Sequence, residues 1–406
     1  MRPVLVLIFH PAAPSDAGPL VRALAEARRS LAERQRVAFL AVGADEVKVA
    51  VGPPDGLSFG ERLGAEVRAW AADRRTRAAE TGGGGAGGGG AGGGGAGGVV
   101  VLGSGSIPLA RAADLRRFVE VAAGPGGHAL ANNRYSADVV AVSRAADLAE
   151  LPPLPADNAL PRWLEERAGV AVADLRSHWR LGVDIDTPLD LVVLRDPAAP
   201  DPVGHDLRAA APLIGGRLAA LSEVLTDRRA ELLVAGRVSA TTLRWLESGV
   251  ACRVRALVEE RGLRAASKLA QSGATTGSRP PRSVLGELLD RDGPESLART
   301  VATLADAAVI DTRVLLAHRH GAGESAWPPA EDRFASDLLL PASIADPWLR
   351  TLTASAAGPY PIAAPDIAAN SPTATSPSDR PILLGGHTLV NGGLRLLAQR
   401  ARAGAR

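Results

Sequence analysis

The 406-residue chain has little of several residue types on which whole classes of protein depend. A single cysteine, Cys252, excludes an internal disulfide framework and a zinc site built from cysteines. Aromatic residues make up only 3% of the sequence, so aliphatic side chains must build the core. Lysine occurs only at Lys48 and Lys268, and nearly all positive charge comes from arginine. Because no basic stripe interleaved with aromatic residues accompanies the formal charge of +2, the sequence predicts no nucleic-acid partner.

Long apolar runs are also missing. The run at residues 4–9 is too short for a secretory signal, and no run approaches the ~20 apolar residues that a membrane span requires. We therefore expect a cytoplasmic protein without a membrane partner. The chain is long enough for more than one domain, since a single core rarely grows beyond ~250–300 residues.

Apolar runs alternate with helical spacing in the first half of the chain. The predicted strands are 4–9, 37–42, 47–51 and 99–102, and the predicted helices include 16–36 and 59–79. This alternation is typical of an α/β fold with a doubly wound, mostly parallel sheet. In the second half we expect a helix-rich α/β domain, with a helix at 250–261 and a strand at 308–317.

Composition also predicts the domain organisation. A proline-rich linker at 196–205 separates a domain at 1–195 from a domain at 206–406. The glycine-rich segment 81–98 cannot bury apolar surface and is expected to be a flexible insertion. Two further insertions of this kind are expected at 265–282 and 355–380.

The sequence around Asp184 and Asp186 forms the most distinctive local pattern. In an extended segment these alternate carboxylates share one face. Thr187 can cap a helix that starts with Pro188, and Asp190 completes an arrangement close to a capping box. Such a corner can hold a divalent metal and attached phosphates, or it can serve simply as a stable helix start. The residue chemistry leaves both interpretations open.

A loop of small residues follows the strand at 99–102. It contains Gly103, Ser104, Gly105 and Ser106, followed by Ile107 and Pro108. The carboxyl end of a parallel strand is where open α/β sheets bind ligands. Small side chains there let a ligand approach the backbone closely.

The order of these elements resembles the nucleotidyltransferases with a GT-A-like, Rossmann-type fold, particularly the 2-phospholactate and molybdenum-cofactor guanylyltransferase group. The resemblance covers about residues 1–195. It rests on three elements in this order: Gly60-Glu61-Arg62-Leu63, Ser106-Ile107-Pro108-Leu109, and Asp184-Ile185-Asp186-Thr187-Pro188-Leu189-Asp190-Leu191.

The resemblance implies transfer of a nucleoside monophosphate from a nucleoside triphosphate to a small phosphorylated or sugar-like acceptor. Mg²⁺ would be the cofactor, with Asp184 and Asp186 as its ligands. The nucleotide-binding residues would be Arg62, Gly103, Ser104, Gly105 and Ser106. The acceptor-binding residues would be Asn132, Asn133, Arg134 and Ser136. No catalytic residue is assigned, and the sequence leaves a homo-oligomer open.

Two departures from the family pattern leave a second hypothesis open. Ser106 occupies the position where the family has an aspartate, and residues 10–16 contain no lysine or arginine to hold a triphosphate. The alternative is therefore a nucleotide-binding, sugar-binding or scaffold protein whose catalytic site has degenerated. The pair Asn132-Asn133 equally suits a turn before a strand.

The second half of the chain resembles no family. Its candidate metal or acid–base residues include Asp311, His318, Asp337 and His387, without a sharp ligand spacing. The Gly385-Gly386-His387-Thr388 segment after a predicted strand is the most suggestive place in this half. Several arginines between 237 and 264 are interpreted as a solvated basic face.

Overall fold

The computed structural model describes residues 2–52, 57–80, 97–149, 151–154, 157–194, 212–260, 281–358 and 380–404. The chain forms two compact units. The first comprises Met1–Pro14 and Arg28–Asp184, and the second comprises Ser15–Ala27 and Ile185–Arg406. The division falls directly after Asp184, whereas the sequence suggested a first domain that ends at residue 195. The predicted linker 196–205 and most of the three predicted insertions lie outside the described residues.

The first unit contains a six-stranded sheet in the order β2-β1-β3-β5-β4-β6. The strands are β1 (Val4–Pro11), β2 (Glu46–Gly52), β3 (Gly98–Gly103), β4 (His128–Ala131), β5 (Val139–Val142) and β6 (Ala171–Asp174). The helices are α1 (Pro19–Ala41, whose first residues belong to the second unit), α2 (Phe59–Glu80), α3 (Ala112–Ala123), α4 (Ala146–Ala149) and α5 (Leu160–Glu166). Strand β5 runs antiparallel to β3 and β4, and the other pairings are parallel. The sheet is therefore mixed, and the predicted α/β class is confirmed.

The predicted strand at 37–42 is wrong, because residues 37–41 continue helix α1, which ends at Ala41. Phe39 is fully buried, whereas Val37 and Leu40 on the other side of the same turn are 59% and 42% exposed. A short apolar run fits a buried strand and a helix equally well. Burial on one side of the helix, with Ala32 and Phe39 in the core, decided the outcome.

The second unit contains a parallel four-stranded sheet in the order β10-β9-β7-β8. The strands are β7 (Glu231–Gly236), β8 (Arg253–Val258), β9 (Ala307–Asp311) and β10 (Ile382–Gly385). The helices are α6 (Pro188–Leu194), α7 (Pro212–Thr226), α8 (Ala240–Gly249), α9 (Val284–Asp292), α10 (Leu297–Leu304), α11 (Thr312–His320), α12 (Ala330–Asp337), α13 (Pro347–Ala357) and α14 (Leu394–Gly404). A π-helical turn at Leu389–Gly393 precedes α14. Strands β7, β9 and β10 are almost completely buried, as expected for parallel strands with helices on both faces.

Three predictions in this half are corrected. Residues 253–258 form the edge strand β8, not a helix, and the predicted strand at 308–317 ends at Asp311. There the Asp311 side chain accepts a hydrogen bond from the Arg313 N–H, which caps α11 and stops the strand. The start of the predicted insertion 355–380 is helical, because α13 continues to Ala357. Among the described helices, none combines the length and the apolar character that crossing a membrane requires.

Candidate functional site

The carboxyl ends of the parallel strands β2, β1 and β3 lie at one edge of the first sheet. The register pairs His10 with Val51, and Phe9 with Gly103. Strand β4 points the same way, since both β3 and β4 run antiparallel to β5. Leu102 pairs with Val139 at this edge, so the loops that leave β3 and β4 are two strand spacings apart, about 10 Å. The predicted nucleotide loop and the predicted acceptor loop therefore lie at the same edge of the sheet.

The loop after β3 is held by buried polar contacts. The Ser104 hydroxyl lies 3.0 Å from Nδ1 of His10, the residue at the end of β1, and both side chains are buried. The Ser104 N–H donates to the carbonyl of Phe9, and the Ser106 N–H donates to the carbonyl of Gly103 in a tight turn. These contacts fix the predicted nucleotide loop against β1.

Ile107 has a backbone conformation that is rare for a branched side chain. Its φ is 47°, in the left-handed region, and its side chain is buried. Such a conformation costs on the order of 1–3 kcal/mol and persists only when surrounding contacts enforce it. Strained backbone of this kind clusters at ligand-binding sites, and here it falls directly after the predicted nucleotide loop.

Ser106 and Asp184 are brought side by side. Their backbones form an isolated antiparallel bridge, and the side chain of Asp184 is buried. The Gln35 amide donates to the Ser106 carbonyl over 2.6 Å from the buried side of α1. The element around Ser106 and the beginning of the Asp184 element thus meet in the first unit, although 77 residues separate them along the chain.

Arg62 supplies a cation near the same edge. Its guanidinium Nη1 lies 3.8 Å from the point where a β-carbon on Gly52 would sit, and Gly52 is the last residue of β2. Gly60 lies two residues before Arg62 in the same helix, and close packing requires a glycine at position 60. A β-carbon on Gly60 would overlap the carbonyl oxygen of Pro152.

The four predicted acceptor-binding residues differ in how accessible their side chains are to a ligand. The Asn132 amide is buried and used completely: it donates to Asp138 and to the Leu181 carbonyl, and it accepts from the N–H groups of Asp138 and Val139. Asn133 accepts from the N–H of Tyr135, so the Asn132-Asn133 pair builds a turn before β5.

Arg134 and Ser136 remain partly exposed next to that turn. Arg134 is ion-paired with Glu165, and this contact raises the pKa of the guanidinium above its usual value. The guanidinium also lies 5.6 Å from the ring centre of Tyr135, whose side chain is half exposed. The side chains of Arg134 and Ser136 are more accessible to a ligand than the buried amide of Asn132.

The residues that follow Asp184, from Ile185 onward, belong to the second unit. The predicted capping box is confirmed: the Asp190 carboxylate accepts from the N–H groups of Asp186 (2.9 Å) and Thr187 (2.7 Å), and Thr187 Oγ1 accepts from the Asp190 N–H. Burial, and after it the charge of Asp186, raise the pKa of Asp190 to about 7. Asp186 itself is half exposed and lies 3.5 Å from Nδ1 of His387. Asp184, the other predicted metal ligand, is the last residue of the first unit.

His387 belongs to a charged cluster at the carboxyl edge of the second sheet. Asp311 ends β9 and is bound by Arg237, which follows β7. Burial by itself would raise the pKa of Asp311, but the charge and hydrogen bond of Arg237 hold it below its usual value.

A fully buried pair, Arg313 and Asp337, continues this cluster into the interior. The two guanidinium nitrogens of Arg313 bind the two carboxylate oxygens of Asp337 at 2.5 and 2.7 Å. Burial opposes the charged form of Arg313, but the Asp337 carboxylate more than compensates and raises its pKa.

The sequence contained a signal for parts of this cluster. Asp311, Asp337 and His387 were among its candidate residues, and the glycine turn at 385–386 was noted. The role of Arg237 was missed, because it was grouped with a solvated basic face. Its partner Asp311 is 74 residues away, and no local spacing connects the two.

Comparisons with protein-family models, curated proteins and solved structures give no match to this chain.

Proposed function

We propose that this chain is a nucleotidyltransferase-like protein that transfers a nucleoside monophosphate from a nucleoside triphosphate to a small phosphorylated or sugar-like acceptor. One observation carries the proposal: the predicted nucleotide loop, the predicted acceptor loop, Arg62 and Asp184 share one carboxyl edge of the first sheet. From β2 to β4 this edge spans four strand spacings, about 19 Å, enough for a nucleotide and an acceptor side by side.

Each group has a defined part in this proposal. Arg62 neutralises phosphate charge at the end of β2, where the β1 loop has no lysine or arginine of its own. The fixed backbone from Gly103 to Ser106 lies against the nucleotide, with its position set by the contact between Ser104 and His10. Arg134 and Ser136 contact the acceptor.

Mg²⁺ bound at Asp184 and Asp186 would neutralise the charge that develops on the phosphates. The donor set of this chain also admits a different ion. Asp186 lies beside the imidazole of His387, and an imidazole nitrogen suits Mn²⁺ or Zn²⁺ better than Mg²⁺, which prefers oxygen. The proposal is therefore tested with both Mg²⁺ and Mn²⁺.

The decisive experiment is calorimetric titration of the full chain with each of the four nucleoside triphosphates, with and without Mg²⁺ or Mn²⁺. We expect saturable, metal-dependent binding of at least one nucleotide. Binding of none at millimolar concentration contradicts the proposal. Pyrophosphate release in the presence of candidate acceptors then tests transfer itself.

Matched variants identify the binding edge. Replacing Arg62 with Gln removes one charged contact to phosphate, so we expect roughly a tenfold or greater loss of nucleotide affinity. The control is Arg74→Gln on the same helix, 12 residues or about 18 Å further along, where the guanidinium stacks on Trp70. If both variants lose affinity equally, nucleotide binding at the β2–β3 edge is refuted.

The second hypothesis is a protein that keeps the binding edge but no longer catalyses transfer. Two observations favour it: Ser106 stands where the family that the sequence resembles has an aspartate, and the Asn132 amide is used completely within the fold. Under this hypothesis Asp184→Ala destabilises the first unit without abolishing any activity. Pyrophosphate release by the wild-type chain that is lost in a stably folded Asp184→Ala chain excludes it.

A further inference from the structure

The second unit contains a topological switch point of its own. In the order β10-β9-β7-β8, the chain passes from β7 outward to β8 on one side, and from β9 outward to β10 on the other. Ligands of open parallel sheets bind in the crevice that such a reversal leaves beyond the carboxyl ends of the two central strands. Here those ends are Gly236 on β7 and Asp311 on β9, and the register pairs Ala235 with Ile310 directly before them.

Arg237 is held in a fixed orientation at this point. Its Nε donates to one carboxylate oxygen of Asp311 over 2.6 Å, and its Nη2 donates to the other over 3.3 Å. Gly236 makes the approach possible, because a β-carbon there would overlap the β-carbon of Asp311. The φ of Gly236 is 124°, a conformation that other residues rarely adopt.

The remaining side of the guanidinium is available. Among the described residues, Nη1 of Arg237 has no hydrogen-bond partner, and the side chain is 18% exposed, whereas Asp311 is completely enclosed. Both N–H bonds of Nη1 are therefore unused, on a guanidinium whose rotation is restricted by its two hydrogen bonds to Asp311. An arginine held in this way loses little further entropy when it binds an oxyanion, and its planar fork matches the oxygens of phosphate and carboxylate.

The loops around Arg237 are tied together by Asn391 from the π-helical turn. Its amide donates to the carbonyl of Arg237 (2.9 Å) and to the carbonyl of His387 (2.7 Å), and its oxygen accepts from the N–H of Ser239 (2.8 Å). One side chain thus connects the loop after β7 with the loop after β10. Single turns of π-helix inside α-helices are frequent at functional sites.

The local charge favours an anion more than a cation. The carboxylate of Asp311 is occupied by Arg237 and by the N–H of Arg313, so it offers little to a metal ion. The buried ion pair of Arg313 and Asp337 carries no net charge. Of these charged groups, the partly exposed one with hydrogen-bond donors still unused is the guanidinium of Arg237.

We propose that the second unit binds the oxyanion group of a small molecule, a phosphate or a carboxylate, at the crevice between β7 and β9, with Arg237 as the anchoring residue. Arg237 belongs to the second unit and is not one of the residues assigned to the nucleotide edge of the first unit. It gives the second unit a ligand of its own.

The test is calorimetric titration of the full chain with inorganic phosphate and with acetate, at constant ionic strength maintained with chloride. We expect saturable binding of at least one of them, and the ratio of the two affinities identifies the natural group as phosphate or carboxylate. Arg237→Gln alone would leave Asp311 buried without its counter-charge, so two other variants are used. Arg237→Lys keeps the charge without the fork, and the double variant Arg237→Gln/Asp311→Asn removes the pair together.

Either variant, once shown to be folded by circular dichroism, should bind the anion roughly tenfold more weakly or worse. The matched control is Arg255→Gln. Arg255 is also paired with a carboxylate in this sheet, Glu231, but at the opposite end of β7. Anion binding to the wild type that is lost in an Arg237 variant and kept in the Arg255 variant supports the proposal. It is overturned if the wild type shows no saturable binding, if the folded Arg237 variants bind like the wild type, or if Arg255→Gln weakens binding to the same degree.

Discussion

The buried carboxyl group of Asp190 should make the stability of the second unit depend on pH in an unusual direction. Asp190 is 1% exposed, and its Oδ2 accepts from the N–H groups of Asp186 and Thr187. Its Oδ1 is buried and has no hydrogen-bond partner among the described residues. Replacing Asp190 with Asn keeps an oxygen that can cap the helix and removes the ionisable group.

The expected magnitude follows from the pKa. Burial raises the pKa of Asp190 from 3.8 to about 7. Between these values the folded chain retains a proton that the unfolded chain releases, so the free energy of unfolding decreases as the pH rises from about 4 to about 7. A difference of about 3 pH units corresponds to about 4 kcal/mol of stability, present at pH 4 and lost above pH 7.

Chemical denaturation at several pH values between 4 and 8, with a chelator to exclude metal effects, measures this dependence. The informative quantity is the free energy of unfolding of Asp190→Asn minus that of the wild type, because titrating groups that do not interact with Asp190 contribute equally to both and cancel. This difference should grow in favour of the variant by about 2–4 kcal/mol between pH 4 and pH 8. A constant cost from the unpaired amide shifts the whole curve without changing its slope.

A control variant separates burial from helix capping. Asp346 is the N-cap of α13 and accepts from the N–H of Leu349, so it is, like Asp190, a carboxylate bonded to backbone N–H at a helix start, but it is only partly buried. Asp346→Asn should therefore show no growth of comparable size across the same pH range. If the Asp190→Asn difference is flat between pH 4 and pH 8, or changes in favour of the wild type as the pH rises, the reasoning about Asp190 is refuted.

Three further predictions concern packing, a buried ion pair and the cysteine. Gly60→Ala should destabilise the first unit by about 1–3 kcal/mol in denaturant titration, because its β-carbon would overlap the backbone oxygen of Pro152; an unchanged midpoint would contradict this close approach. Asp337→Asn should cost about 3–5 kcal/mol in the same assay, since it leaves the charge of Arg313 buried without its partner, and a loss below 1 kcal/mol would mean that water reaches the guanidinium. Cys252 should react with a thiol reagent at pH 8 only after unfolding, because burial raises its pKa to about 11; fast reaction of the folded chain would show that the thiol is accessible.

The sequence was most successful where one local pattern carries the information. The order Thr187-Pro188 followed by Asp190 predicted a helix start, and the structure has it with both hydrogen bonds of the capping box. The continuous apolar runs at 4–9 and 99–102 became β1 and β3. In these places hydrogen bonding within four residues, or burial on both faces, leaves few alternatives.

It failed where a local pattern fits two structures. The run at 37–42 has strand-like composition but forms the end of a helix, since Phe39 packs into the core while Val37 and Leu40 face outward. The stretch containing Cys252 and β8 has helical spacing, yet parallel pairing with β7 makes residues 253–258 an edge strand. Residues 253–258 became a strand because they pair with β7, about 20 residues earlier, and a short window of sequence does not contain both strands.

The sequence by itself therefore determined the α/β class, the helix start at Pro188 and the loops with small or polar residues that follow the strands. Only the tertiary structure decided how these loops combine. Strand register brings the loops after β3 and β4 to one edge, backbone pairing joins Ser106 to Asp184, and a guanidinium after β7 meets a carboxylate at the end of β9. The physical reason is that each of these contacts joins residues far apart along the chain. Sheet order and burial fix their positions, and neither is encoded in local spacing.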